Sequence, residues 1–314
     1  MNFKKPNFWN LNKPNFFSYF LSPLSLIIQL LKYFKYIITP KFKSTKIRTI
    51  CVGNIYLGGT GKTMLSIKIN EFLKKKKIKT CFIKKDYSNQ IDEQQILQNS
   101  GPLIKDDKRV NCLKKAIDEK YEIAIFDDGL QDPSINYDLK FVCFNNINWI
   151  GNGLTIPSGP LRESVKNLKK YKNIFLNGNM ENLEMIKNQI YKINPKINLY
   201  VGRYIPTNIK DFDLKKNYLV FSGIGNHQTF INMLKICNFN VIKDIEFSDH
   251  YNYSINDLKE IISLSEKLNC KIITTEKDYT KINKYNLKEI EVITSKLEIE
   301  NEKDLFNTIL RLYE

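Results

Sequence analysis

Residues 50–67 read ICVGNIYLGGTGKTMLSI, an apolar run that breaks into glycines and resumes as a helix opening on a lysine and a threonine. A buried strand turning sharply through Gly58, Gly59 and Gly61 into a helix leaves backbone N–H groups pointing into one concavity, at the positive end of the helix dipole. Such a concavity suits phosphate. In this arrangement Lys62 reaches the β- and γ-phosphates of a nucleotide, and the hydroxyl of Thr63 takes a place on Mg²⁺. Tyr56 stands where the usual pattern has its first glycine, and Leu57, Gly58, Gly59, Thr60 and Gly61 complete the loop. A plain glycine-rich turn beside an ordinary lysine is the competing reading, and the flanking strand and helix argue against it.

A nucleotide loop of this kind takes its metal partner from an acidic residue ending a neighbouring apolar strand. YEIAIFDDG, residues 121–129, offers Asp127 and Asp128 there, either or both of which could hold Mg²⁺, with Gly129 allowing a tight exit. An Asp-Gly turn after a strand is common without any metal, so the loop upstream is what gives the pair its meaning. These residues alone specify phosphoryl transfer or hydrolysis with ATP and Mg²⁺.

From Thr49 onward apolar strand-like runs alternate with helical spacing, as in IKTCFIKK, VNCLKKAIDEK, YEIAIFDD and LKFVCFN. That rhythm predicts an α/β fold, a P-loop NTPase-like parallel sheet with crossover helices. A second alternation begins near Pro206, with NYLVFSGIG, HQTFINMLKICNF and CKIITTEKD. The expected organisation is a membrane-associating segment over 1–44, a P-loop core over 45–205 and a smaller α/β domain over 206–314.

The amino end differs from the rest. No Asp or Glu precedes Glu71, while Lys4, Lys5, Lys13, Lys32, Lys35, Lys41, Lys43, Lys46 and Arg48 all do. The run from Leu24 to Ile38 is apolar apart from Ser25, Gln29, Lys32 and Lys35, and at about 15 residues it falls short of the ~20 needed to span a bilayer. It fits a helix lying in an anionic membrane surface; the other reading is a terminal helix packed on the protein's own core. No small-residue cleavage site marks a secretory signal.

The chain of 314 residues carries 49 Lys and Arg against 33 Asp and Glu, a formal charge of +16 that calls for an anionic partner. A mean hydropathy of −0.36 argues against a polytopic membrane protein. No RRM, helix-turn-helix or zinc-finger signature is present, so nucleic acid is disfavoured. Six cysteines, Cys51, Cys81, Cys112, Cys143, Cys237 and Cys270, are scattered without a CxxC pair, and they read as reduced thiols in a cytoplasmic setting.

Six stretches together resemble the tetraacyldisaccharide 4′-kinases, the lipid A 4′-kinases of Gram-negative bacteria. They are VGNIYLGGTGKT (52–63), FDDGLQ (126–131), GNGLTIPSGPLRES (151–164), FSGIGNHQTF (221–230), FSDHYNYS (247–254) and TTEKD (274–278). The family tolerates a residue other than glycine at the position of Tyr56. The resemblance implies a kinase core over 45–205 that transfers the γ-phosphate of ATP to the 4′-hydroxyl of an acylated glucosamine disaccharide 1-phosphate. It also implies a place at the cytoplasmic face of the inner membrane, held by the amino-terminal segment.

Site roles follow from the same resemblance. Asp92 of IDEQ is the implied base, with His250 as its partner; Arg162 and Glu163 lie near nucleotide and metal, Arg162 on phosphate charge and Glu163 on the metal, and Gln131 lines the site. His250, flanked by Asp249 in a loop, has the setting of an oriented base, whereas His227 stands at a helix start. Two departures stand out. KKDY (84–87) replaces the family's Ser-Arg-Gly-Tyr, keeping Tyr87 as a site-lining residue and supplying Lys84 and Lys85 in place of the arginine. Asp132 and Pro133 replace His-Arg after DDGxQ, and around Asp92 only Asp-Glu remains of Gly-Asp-Glu-Pro. The competing function is a membrane-associated P-loop ATPase acting as a switch; a GTPase is disfavoured because TTEKD carries its lysine one place too late for [NT]KxD.

Overall fold

A computed structural model describes residues 5–86, 91–178, 182–249 and 251–313, with the side chains of Ile91 and Asp92 also outside the described part. Tyr87 and His250 therefore fall outside it, as does the side chain of Asp92.

The chain opens with two helices, α1 (Phe16–Phe20) and α2 (Ser22–Ile38). Asn15 caps α1 by accepting from the Ser18 N–H at 3.0 Å, and Pro23 sits in the first turn of α2, where its missing N–H costs nothing. There follow β1 (Arg48–Asn54), α3 (Lys62–Lys75), β2 (Thr80–Lys85), α4 (Ile91–Ser100), β3 (Leu103–Asp106), α5 (Arg109–Asp118), β4 (Ile123–Asp127) and β5 (Leu139–Asn145). After a long loop come β6 (Asn173–Asn177), α6 (Leu183–Ile193) and β7 (Asn198–Pro206). The remaining elements are β8 (Asn217–Ser222), α7 (His227–Ile236), β9 (Asn240–Glu246), α8 (Ile255–Lys267), β10 (Lys271–Thr275), α9 (Glu276–Ile282), β11 (Ile290–Ile293), β12 (Ser295–Ile299) and α10 (Glu302–Leu310).

Two sheets result. The first has eight strands in the order β12-β7-β6-β5-β1-β4-β2-β3, and its pairs from β7 through to β3 are parallel. The second has four parallel strands in the order β11-β10-β8-β9. The expected α/β architecture with a parallel sheet and a smaller α/β unit is the observed one. β1 is buried at every residue after Arg48, because both faces of a central parallel strand are covered. One core cluster gathers Cys51, Cys81, Ile83, Leu113, Ala124 and Phe126; another gathers Ile55, Tyr56, Val142, Phe144, Leu161 and Ile174.

The chain divides into a larger unit, Lys5–Gly202 with Ile299–Glu314, and a smaller one that includes Arg203–Glu298. The reading of 206–314 as one domain differs here at its end. Phe306 of α10 stacks on Phe72 of α3 with ring centroids 3.7 Å apart, and Lys68 of α3 pairs with Glu302 at 2.6 Å, so the last helix covers the larger sheet. All six cysteines are free thiols, and Cys51, Cys81, Cys112 and Cys143 are buried.

Within the larger sheet β1 and β5 are neighbours, and the chain leaves β1 for β2 on one side and β5 for β6 on the other. Ligands in such sheets bind at this switch point, outside the carboxyl ends of the strands. Asn54, Lys84, Lys85 and Asp127 all lie at those ends.

Candidate active site

The phosphate loop has the backbone that its glycines predict. Gly58 has φ +137° and Gly61 φ +80°, both in the region that side chains avoid, and Gly61 sits at the N-cap of α3. Lys62 is thus the first residue of a 14-residue helix whose N-terminus faces the concavity, with no acidic residue in its first turn. Asn54 holds the loop from below: its side-chain N–H₂ donates to the Gly58 carbonyl at 3.1 Å and to Thr60 Oγ1 at 3.0 Å. Its Oδ1 is buried without a hydrogen-bond partner among the described residues.

Tyr56 does not enter the concavity. It is 2% exposed in the core beneath the loop, and its hydroxyl donates to Asn10 Oδ1 at 3.1 Å. Side-chain volume at this position goes downward, which is why the loop closes without a first glycine.

The acidic pair ends β4. Asp127 is fully buried, and its carboxylate oxygens lie 3.4 and 3.5 Å from Thr63 Oγ1. Asp128 turns through φ +60°, so the left-handed residue is Asp128 itself and not Gly129. Its backbone N–H donates to the Val52 carbonyl at 2.8 Å, and its carbonyl accepts from Arg109 Nη2 at 2.7 Å. Arg109 also pairs with Asp132 at 3.2 Å, which gives one of the two departures a structural use.

The GPLRES stretch lies along the loop's entrance. Tyr56 and Leu161 form an antiparallel bridge, the Leu57 N–H donates to the Pro160 carbonyl at 2.9 Å, and the Arg162 N–H to the Ile55 carbonyl at 2.6 Å. Arg162 Nη1 then donates to Asp128 Oδ1 at 2.7 Å and to Gln131 Oε1 at 2.9 Å, while Gln131 Nε2 donates to the Asn54 carbonyl at 2.8 Å. Glu163 is engaged elsewhere: one carboxylate oxygen accepts from Asn167 at 2.8 Å and the other from Tyr171 at 2.9 Å.

Charge is balanced locally. Burial on its own pushes Lys62 down, but Glu93, Asp128 and Asp127 outweigh it and hold its ammonium above the usual lysine range. Burial pushes Asp128 up, yet Lys62 and Arg162 prevail and keep its carboxyl below the usual carboxylate range. Lys84 is 1% exposed and donates to Asp127 Oδ2 and to Glu93 Oε2, each at 2.6 Å.

A family model described as tetraacyldisaccharide-1-P 4′-kinase matches residues 17–314. The chain belongs to that family. It is 56% identical over 314 residues to the tetraacyldisaccharide 4′-kinase of Pelagibacter ubique (strain HTCC1062), covering 100% of this chain and 99% of that one. It is 34% identical over 322 residues to the tetraacyldisaccharide 4′-kinase of Rickettsia typhi (strain ATCC VR-144 / Wilmington), covering 96% of each. Among solved structures, LpxK from Aquifex aeolicus, described as an apo form in complex with ATP, aligns with a TM-score of 0.67 and 22% identity over 95% of this chain and 99% of that one. That likeness establishes the shared fold.

Of the residues singled out from the sequence, the structure brings together Gly58, Gly61, Lys62, Thr63, Asp127, Asp128, Gln131 and Arg162. Asp249, read as a neighbour of His250, has its carboxylate 3.4 Å from Lys277 Nζ. His227 is buried, with Nδ1 2.7 Å from Ser222 Oγ and Nε2 3.1 Å from Asp244, and serves the smaller unit's own packing. Sequence reasoning missed Glu93, Arg109 and Asn54 and placed Lys84 only as a substitute for an arginine. For Glu93 the available signal was its place beside Asp92.

Proposed function

We propose that this cluster transfers the γ-phosphate of ATP to the 4′-hydroxyl of a tetraacyldisaccharide 1-phosphate, yielding ADP and the bis-phosphorylated lipid A precursor, lipid IVA. One observation carries the reading. A helix N-terminus bearing Lys62 and Thr63 opens onto Asp127 and Asp128 at the switch point of a parallel sheet in a chain of the tetraacyldisaccharide 4′-kinase family.

The donor set fits Mg²⁺: the Thr63 hydroxyl and the Asp127 carboxylate are hard oxygen ligands lying side by side, and neither belongs to a nitrogen- or sulfur-rich cluster. Mg²⁺, when bound, neutralises charge on the phosphate oxygens. Thr63 and Asp127, with Asp128 near them, are the residues that would hold it. The backbone of residues 56–61 and the start of α3 bind the β- and γ-phosphates, and Lys62 places its charge on them. Arg162, aimed by Asp128 and Gln131, stabilises charge spreading over the transferred group. In the transfer the acceptor oxygen bonds to the γ-phosphorus, the bond to the β–γ bridging oxygen breaks, and ADP leaves with that oxygen's electrons. Asp92, oriented by His250, takes the hydroxyl proton, a role both hold by resemblance to the family.

The amino-terminal segment supports a membrane site for this reaction. Ser25 Oγ donates from α2 to the Thr155 carbonyl at 2.8 Å, and Lys32 Nζ to the Arg162 carbonyl at 2.8 Å. Ser18, Ser25, Gln29 and Lys32 thus form the face of the helical segment that meets the protein. The apolar side chains turn outward: Phe16, Phe20, Leu26, Leu31 and Ile38 are 63–77% exposed. Among the described residues no helix is long and apolar enough to cross a membrane. An inside-out helix of this length fits the interface, where nearby lysines add about 1 kcal/mol each on anionic lipid.

The test is transfer of labelled γ-phosphate from ATP to tetraacyldisaccharide 1-phosphate in mixed micelles, for wild type and Lys62→Ala, Asp92→Ala and His250→Ala. Label in the lipid that disappears in the variants supports the reading. Phosphate release without lipid labelling, by folded and lipid-bound protein, overturns it in favour of a membrane-associated ATPase.

A further inference from the structure

Lys84 occupies an unusual position for a lysine. It is the penultimate residue of β2, which β4 separates from β1, and it follows Ile83, which lies opposite Phe126 of β4. Its side chain is 1% exposed, and its ammonium bridges Asp127 Oδ2 and Glu93 Oε2 at 2.6 Å each; those partners are 0% and 13% exposed. A buried ammonium persists only when it is paired, and here both partners are carboxylates.

The carboxylates have an equal need of the lysine. Both converge on one nitrogen, so their oxygens lie no more than about 5 Å apart, a distance at which two like charges in a dry setting repel each other strongly. Asp127 is also the residue beside Thr63. Whatever holds Asp127 in place before a divalent cation arrives therefore shapes the phosphate site. Lys62 and Arg162 do not do this through a direct bond: Arg162 is spent on Asp128 and Gln131.

We propose that Lys84 is a positioning residue of the phosphoryl-transfer site, whose ammonium holds Asp127 and Glu93 as a preformed pair and reduces the dependence of nucleotide binding on a divalent cation. With Lys84 present the site meets a polyanionic nucleotide with half of the carboxylate charge on this side already balanced. Without it, two bare carboxylates face the phosphates, and ATP binds well only when a cation comes with it. The inference rests on the kinase reading, but its readout is nucleotide binding, so failure here and failure of lipid phosphorylation are separate results.

The experiment is calorimetric titration of ATP into the full chain, once in EDTA and once in excess Mg²⁺, with circular dichroism to establish folding. The quantity read is the ratio of the metal-free to the metal-supported Kd. Lys84→Met is expected to raise that ratio about tenfold or more, and Lys84→Arg to keep it near wild type. Glu93→Gln, which leaves Lys84 with a single carboxylate partner, is expected to lower the ratio severalfold and serves where Lys84→Met does not fold. A ratio unchanged in Lys84→Met, with both Kd values shifted alike, overturns the proposal, because a merely structural lysine would weaken both equally. So does an unchanged ratio in Glu93→Gln.

Discussion

Arg162 and Asp128 are 2.7 Å apart, Nη1 to Oδ1, although they come from a loop and a strand end separated by 34 residues. The bond spends one corner of the guanidinium on Asp128 and Gln131 and fixes the plane of the rest, so the remaining donors are aimed rather than free to rotate. Arg162→Ala is expected to lower kcat for lipid phosphorylation by about 10²- to 10³-fold, the usual loss when one aimed donor to transition-state charge is removed. Arg162→Lys should recover only a small part, since an ammonium is a point charge without the planar fork. Initial rates at saturating ATP and Mg²⁺ check this; a fully active Arg162→Lys would show that charge alone suffices.

Asp127 has a structural duty beside the metal role proposed for it. Asp127→Asn removes one of the two carboxylates on the buried Lys84 ammonium and leaves the Glu93 pair, so it should cost less than the about 3–5 kcal/mol of a buried charge left wholly unpaired. Urea unfolding of Asp127→Asn should show a lower midpoint with an unchanged slope. Asp127→Asn combined with Lys84→Met also strips Glu93 of its ammonium and should be no more stable than Asp127→Asn alone, while remaining inactive.

Much of this site was legible because it is written in contiguous residues. The turn through Gly58 and Gly61, Lys62 and Thr63 at a helix start, and the acidic pair ending an apolar strand are each local patterns, and it is the loop that gives the acidic pair its meaning. Glu93 and Arg109 were not legible, because their roles depend on partners on other elements: Glu93 meets Lys84 nine residues earlier, and Arg109 meets the Asp128 carbonyl 19 residues later. The parallel sheet followed from the alternation of apolar runs. The return of residues 299–314 to the larger unit did not, since nothing in the Phe306 context marks its stacking on Phe72. The first helices show a third kind of limit: polar residues recur at helical spacing in α2, yet periodicity does not say whether that face meets water or protein.

The outward face of α2 gives a test in which stability and membrane binding separate. Ile27, Leu31 and Phe34 lie on one side of the helix at 53%, 64% and 59% exposure, so replacing them removes no core contacts. Ile27→Glu, Leu31→Glu and Phe34→Glu together should leave the melting temperature within about 2 °C of wild type, as surface changes do. Co-sedimentation with anionic vesicles should fall by at least about 100-fold, since each apolar side chain contributes about 1.5 kcal/mol on burial in lipid. Binding at the wild-type level would place the membrane contact elsewhere on the chain.

Tyr56 supplies the pH prediction. Burial under the phosphate loop pushes its phenol up to about 12, against an ordinary value of 10.0, because taking the ring out of water disfavours the ionised form. The raised value means the folded chain keeps the proton more tightly than the unfolded chain. The associated stability is therefore fully present below pH 10 and is lost as pH rises towards 12. Tyr56→Phe removes this group while keeping the ring in its cluster, at the cost of about 1 kcal/mol for the bond to Asn10. Between pH 7 and 9 Tyr56→Phe should be the less stable protein by that amount, with ATP binding unchanged, since the hydroxyl points away from the concavity. Above pH 10 the gap should narrow and then reverse, as wild type must neutralise or expose a phenolate and the variant need not. Urea midpoints for both proteins across this range test the argument. Parallel curves would mean that Tyr56 ionises without penalty, and the loop would then owe nothing to a dry floor.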